Sequence, residues 1–275
     1  TIGPNGLRES SPSTNDHGSP SKCILFFGDS FTFGQGLADH QTLPFLVQEQ
    51  SMQRYRTYNF GVNGYGAHQM LAALQHGVVA DTVQCDRAQV SHVIYQGITD
   101  HPRRSTGNVR WKTRGPRYVL TQDGSVILDG RLEDNHGDSS VIQLIVAQMY
   151  KSMIYRSVVE GKFIRKYSRD ELELYFAIVS ETRRTALADY PNAEFHVLWW
   201  DEADVDNKAV SDGLRQRGIA VHLMSDILPN YRADELNETY RIHERDPHPN
   251  ALANELIAQY VVEEILAQPG PAVLK

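Results

Sequence analysis

The chain has 275 residues, 41% hydrophobic and 22% charged, which excludes wholesale disorder, collagen and coiled coil and suffices to bury a full core without staples. Its 27 basic and 34 acidic residues leave a formal charge of -7, a field that repels nucleic acid. The longest run free of Asp, Glu, Lys and Arg, Thr57–Ala80, holds four glycines, two asparagines, two glutamines and two histidines, so no segment can span a bilayer. Cys23 and Cys85 are too few for a disulfide framework or for a structural zinc site of their own. One disulfide between them and two free thiols both fit.

Residues 1–21 are rich in Ser, Pro, Gly and Asn and read as a polar leader, loosely ordered or docked. Regular structure is expected to begin at Cys23-Ile-Leu-Phe-Phe27, an apolar run that reads as a buried strand. A helix is predicted over Gln41–Gln50, a strand over Thr57–Val62, a helix over Ala67–Ala80 and a strand over Ser91–Ile98. Glu194–Trp200 and Ala220–Met224 read as two further strands, with a helix over Asn207–Arg217 between them. Asn250–Leu266 is an amphipathic helix, with Leu252, Leu256, Ile257, Tyr260, Val261 and Ile265 apolar. This alternation makes an α/β protein, with five parallel strands covered by helices on both sides and right-handed crossovers.

The stretch 101–190 breaks the rhythm. Arg117–Leu120 and Ser125–Leu128 flank an Asp-Gly turn and read as a hairpin. Helical patterns follow over Ser139–Val158 and Arg169–Asp189. We read one catalytic domain over residues 22–268, with a hairpin-containing insertion at about 101–140 and a tail at 269–275.

The chemistry-bearing residues fall at strand ends, where open α/β sheets hold their ligands. Gly28-Asp29-Ser30 follows the first strand; a serine there is a nucleophile if a base reaches it, and otherwise part of a turn and helix cap. Asp246-Pro-His248-Pro-Asn250 precedes the last helix. A carboxylate two residues from a histidine can hold the ring and stabilise its imidazolium, and Asn250 is a candidate helix cap. Asn59-Phe-Gly-Val-Asn-Gly64 and Gly97-Ile-Thr-Asp100 end the second and third strands and could offer an oxyanion the Gly64 N–H and the Thr99 hydroxyl.

These four blocks, in this order, resemble the SGNH hydrolases, also called GDSL esterases and lipases, with a likeness to members acting on bacterial polysaccharides. The likeness runs over roughly residues 22–266. It implies a flavodoxin-like three-layer α/β/α sandwich and hydrolysis or transfer of acyl esters with no cofactor and no metal. By position it implies Ser30 as nucleophile, His248 as general base and Asp246 as its partner, with the N–H groups of Ser30 and Gly64 as oxyanion donors. Thr99 stands where the family places an asparagine donor. The spacing Asp-x-His replaces the commoner Asp-x-x-His, which would put Arg245 in the aspartate's place. The leader around Asn5-Gly-Leu-Arg8 is similar to bacterial members whose catalytic domain follows an anchor or signal. An extracytoplasmic site is therefore expected if such a segment was removed, and a cytoplasmic one otherwise.

Arg103–Arg117 holds six basic residues and no acidic one. This is either a surface for an anionic polysaccharide ester, with Trp111 as a stacking platform, or a solvated hairpin. Asp29, Asp100, His101 and Arg104 are the residues expected to line the substrate site with Trp111. Other histidines show no metal spacing along the chain, and Trp199-Trp200 reads as core or rim. The expected activity is serine-dependent hydrolysis of an acyl ester, such as an acetyl ester of a carbohydrate, through an acyl-enzyme. An acyltransferase with the same triad, a catalytically weak carbohydrate-binding module and a nucleotide binder of flavodoxin type are the alternatives. The oligomeric state is left open.

Overall fold

The computed structural model describes residues 1–3, 5–10, 22–108, 114–135, 167–201, 207–232 and 238–267. Five parallel strands form the central sheet: β1 (Lys22–Gly28), β2 (Tyr55–Gly61), β3 (Val90–Ile98), then, after the insertion, Glu194–Trp200 and Ala220–Leu223. The spatial order is second, first, third, fourth, fifth, so the switch in winding direction lies between β1 and β3. Alternation along β1 builds both layers. Cys23, Leu25 and Phe27 point into one apolar cluster, while Ile24 and Phe26 point into the other.

Helices α1 (Ser30–Phe33), α2 (Leu43–Gln50), α3 (Ala67–Gln75), α4 (Val78–Thr82) and α5 (His101–Thr106) belong to the first half. The helix predicted over Ala67–Ala80 is two pieces. Gly77 takes φ 74, a left-handed conformation that stops α3 and starts α4. The hairpin is present, with β4 (Pro116–Leu120) antiparallel to β5 (Val126–Arg131). It is anchored by the buried Tyr118, whose hydroxyl donates to Gln75 Oε1 at 2.7 Å. The helix predicted over Ser139–Val158 lies outside the described residues. α6 (Arg169–Asp189) starts at a reciprocal cap in which Glu171 N–H donates to Ser168 Oγ and Ser168 N–H to Glu171 Oε2.

The second half runs β6 (Glu194–Trp200), α7 (Asn207–Arg215), β7 (Ala220–Leu223) and a helical turn α8 (Met224–Ile227). A small antiparallel pair follows, β8 (Arg241–His243) and β9 (Asp246–Pro249), then α9 (Ala251–Tyr260). Asn250 caps α9 by accepting from Ala253 N–H at 3.0 Å. From the leader, Arg8 is buried against the loop after α1: it donates to the carbonyls of Phe33, Gly34 and Leu37 and pairs with Asp39 at 2.9 Å. Among the described residues no helix is long and apolar enough to cross a membrane.

Candidate active site

Ser30 sits at the first position of α1, immediately past the carboxyl end of β1. Asp29 caps that helix by accepting from Phe31 N–H at 3.0 Å. The first N–H groups of a helix have no intrahelical acceptor, so the Ser30 amide is available. Its hydroxyl faces His248, with Ser30 Oγ and His248 Nε2 2.8 Å apart. On the other side of the ring, His248 Nδ1 lies 2.5 Å from Asp246 Oδ1, and the same oxygen accepts from His248 N–H at 3.1 Å. The short spacing works because both residues lie on β9, where the backbone turns the carboxylate under its own histidine. The hydrogen bond from His248 lowers the Asp246 pKa below the usual carboxylate range, partial burial opposing it. The Phe31 ring packs 5.3 Å from the imidazole and 5.2 Å from Trp200, which limits the histidine's orientations.

The three residues expected to act together thus form a chain, with His248 within hydrogen-bonding reach of both Ser30 and Asp246. Gly64 lies in the loop after β2 with φ 76, a conformation that favours glycine and sets its N–H direction. Asn59 braces the same region: its amide donates to Thr32 O at 3.0 Å and its carbonyl accepts from Gly61 N–H. Thr99 follows β3, half-buried, and its carbonyl accepts from the Tyr167 hydroxyl at 2.7 Å.

The residues expected to line the substrate site are arranged differently. Asp29 and His101 have no exposed surface, so they cannot touch a substrate; they support the serine loop from behind. Arg104 is buried too, and its Nη1 donates to Asp29 Oδ2 at 2.8 Å and to Tyr65 O at 2.7 Å. It thereby ties the serine loop to the Gly64 loop. His101 Nε2 lies 3.4 Å from the same Asp29 oxygen, and its Nδ1 is 2.5 Å from the Tyr95 hydroxyl. Burial works to raise the Asp29 carboxyl, yet His101, Arg104 and the Phe31 N–H outweigh it and hold the pKa at about 2. Asp100 is partly exposed and 3.8 Å from Arg104 Nη2. Trp111 lies outside the described residues.

The basic run is largely neutralised where it is described. Arg117 pairs with Asp129 at 3.0 Å and Arg114 with Glu133 at 3.5 Å, both across the hairpin, and Arg103 stacks over the Tyr167 ring. Tyr95 and Tyr65 escaped the sequence reading. One acts through a buried hydroxyl and the other through a backbone carbonyl, neither of which has a sequence pattern. An apolar cleft of about 340 Å³, lined by Phe27, Phe60, Val62, Tyr65 and Met70 among others, adjoins the Gly64 loop.

No protein-family model matches the chain, and no curated protein matches it significantly. Solved structures do. One is a carbohydrate esterase whose active site is described as displaying divergent catalytic and non-catalytic binding functions. It is 12% identical, with 91% of this chain and 70% of that one covered and a TM-score of 0.52. A second is a Lactobacillus plantarum protein at 11% identity, 91% and 99% coverage and a TM-score of 0.50. A third is a psychrotrophic esterase from Pseudoalteromonas sp. at 12% identity, 89% and 97% coverage and a TM-score of 0.47. Others among the matches carry the G-D-S-L family name. The chain shares its fold with that carbohydrate esterase and with the Lactobacillus plantarum protein. Within this fold, the loops beyond the carboxyl ends of β1, β2 and β3 carry Ser30, Gly64 and Thr99, and the β8–β9 hairpin carries Asp246 and His248.

Proposed function

We propose that the protein is a serine-dependent ester hydrolase working through an acyl-enzyme. The observation that carries this reading is the continuous hydrogen-bonded path from Ser30 Oγ through His248 to Asp246. Ser30 Oγ attacks the ester carbonyl carbon as its proton passes to His248 Nε2, and the carbonyl π electrons move onto oxygen. The N–H groups of Ser30 and Gly64 and the Thr99 hydroxyl donate to that oxyanion. Collapse breaks the bond to the alcohol, which takes the proton from Nε2. Water then gives a proton to Nε2 and attacks the acyl carbon; the acid leaves and Ser30 regains its proton. Asp246, ionised at neutral pH, stabilises the imidazolium at each stage.

The proposed substrate class is a small acyl ester, with acetylated carbohydrate first to be tested because one structural neighbour is named a carbohydrate esterase. An oxidising, extracytoplasmic compartment is part of the proposal, supported by the disulfide between Cys23 and Cys85. A binding-module reading is favoured by one feature, the hydroxyl at residue 99 in place of an amide donor. The deciding experiment compares wild type with Ser30→Ala on p-nitrophenyl acetate and acetylated xylan, alongside fluorophosphonate labelling. The hydrolase reading expects turnover and labelling that both vanish in Ser30→Ala. Wild type that neither turns over nor labels, yet binds the acetylated sugar, is the outcome that favours the binding module.

A further inference from the structure

At the opposite end of the sheet from Ser30, three side chains converge. His92 lies near the start of β3, and its register partner across the ladder is Glu194, the first residue of β6. His196 is two residues further along β6 and therefore projects from the same face. This is the face whose other inward positions are Ile24, Ile94 and Leu198, all fully buried. Imidazoles interrupt an apolar layer here, which calls for a compensating partner.

The hydrogen-bond pattern identifies what is left to be partnered. His92 Nδ1 is 2.9 Å from Ser91 Oγ, and His196 Nδ1 is 3.1 Å from His222 Nε2, whose own Nδ1 is 2.9 Å from the Tyr260 hydroxyl. The Nε2 atoms of His92 and His196 are both buried without a hydrogen bond of normal geometry, although the Ile265 backbone also faces His92. The donor atoms of His92, Glu194 and His196 all lie within 4.8 Å of one another. His196 Nε2 is 3.6 Å from Glu194 Oε2, too long for a hydrogen bond. Two ligands on one ion at roughly 2.0–2.2 Å and a tetrahedral angle stand a little over 3 Å apart.

We propose that His92, His196 and Glu194 form a site for a divalent transition-metal ion of the zinc type, with solvent completing the coordination. Two imidazole nitrogens and one carboxylate oxygen suit zinc in preference to calcium or magnesium, which prefer all-oxygen shells. Proton placement is consistent throughout. With His196 Nε2 on the metal, its Nδ1–H donates to His222 Nε2, and His222 Nδ1–H donates to Tyr260. With His92 Nε2 on the metal, its Nδ1–H donates to Ser91. Such outer partners fix the tautomer and ring orientation of ligating histidines. Glu194 is half-exposed and opens the site to solvent. Lys22 beside His92 and Arg215 beside His222 are the nearby cations, and they temper the affinity. The ion would cross-link β3 to β6, roughly 20 Å from the carboxyl end of β3 at ~3.3 Å per residue, so its role is structural.

The test is titration of the full chain with ZnCl₂ followed by calorimetry, with cobalt(II) absorption as a second probe of geometry. One equivalent is expected to bind, to give a tetrahedral cobalt spectrum and to raise Tm. Glu194→Gln, a conservative change at a half-exposed position, is expected to weaken binding by at least about tenfold and to erase the Tm rise. His92→Gln is expected to do the same. His248→Ala, at the other end of the sheet, is expected to leave the equivalent bound. No zinc equivalent bound by wild type, or one bound equally well by Glu194→Gln and His92→Gln, overturns the proposal.

Discussion

Arg104 reaches Asp29 across 75 residues of sequence, its Nη1 2.8 Å from the carboxylate adjoining Ser30, and the same nitrogen holds Tyr65 O. One guanidinium thus sets the distance between the serine loop and the Gly64 loop. Removing it leaves Asp29 charged and buried without its guanidinium, with only the Phe31 N–H and His101 beside it. Arg104→Gln is expected to cost about 3–5 kcal/mol of stability and to lower kcat by up to about a hundredfold with little change in KM. Asp29→Asn combined with Arg104→Gln removes the buried charge and should recover part of the stability. Urea unfolding and steady-state kinetics of the three proteins check this; equal stability of wild type and Arg104→Gln refutes it.

The third oxyanion donor is open to a direct test at Thr99. Thr99→Val is expected to lower kcat by at most about 10²–10³-fold and to leave KM nearly unchanged, because the bond forms mainly in the transition state. Thr99→Asn, which supplies an amide donor, should match or exceed the wild-type rate. His101 cannot take this role, being fully buried behind Asp29. A Thr99→Val enzyme with unchanged kcat would mean that the Ser30 and Gly64 amides suffice.

His68 is one source of acid lability. Burial, together with His101 and Arg104, pushes its pKa down to about 3, and neither ring nitrogen has a hydrogen-bond partner. The unfolded chain takes up a proton near the ordinary value of ~6.5, whereas the folded chain resists it until far lower pH. Stability contributed by neutral His68 is therefore complete above that ordinary value. It is lost as pH falls towards about 3, at up to roughly 1.4 kcal/mol per pH unit. Asp29 adds a second loss lower down, as pH falls below the unfolded carboxylate value towards its folded value of about 2. His68→Gln should lessen the slope of the stability profile between about pH 4 and 6 by one histidine's share, because burial holds His92 and His196 low as well. Parallel profiles for the two proteins would rule this account out.

The disulfide joins Cys23, buried on β1, to Cys85 beyond α4 and closes a loop of 62 residues. Loop-closure entropy of that size corresponds to about 4 kcal/mol. Reduction, or Cys23→Ala with Cys85→Ala, should lower the denaturation midpoint accordingly while leaving ester turnover intact at low temperature. A midpoint insensitive to reductant would argue against a formed bridge.

Sequence periodicity carried much of the architecture. The five strands alternate or run apolar within short segments, and Ser30, Asp246 and His248 stand in local motifs whose neighbours dictate their geometry. Relations set by sheet register were not legible. Nothing along the chain hints that His92 faces Glu194, or that Arg114 and Arg117 meet Glu133 and Asp129 across a hairpin. Arg104 was expected at the substrate because it lies near Asp100. Instead the charge of a fully buried Asp29 demands a cation, and Arg104 is drawn inward. The break in the Ala67–Ala80 helix depends on one left-handed glycine, which helical periodicity alone does not reveal.

The bond between Ser30 and His248 spans 218 residues. A ribosome delivers the serine loop early, but the β8–β9 hairpin that brings the imidazole emerges only after strands β2 to β7. A nascent polypeptide carrying β1 to β7 can close its sheet and still hold an unactivated serine. On the proposed mechanism, activation of Ser30 therefore waits for the β8–β9 hairpin, and turnover reports that the sheet and this hairpin have both formed.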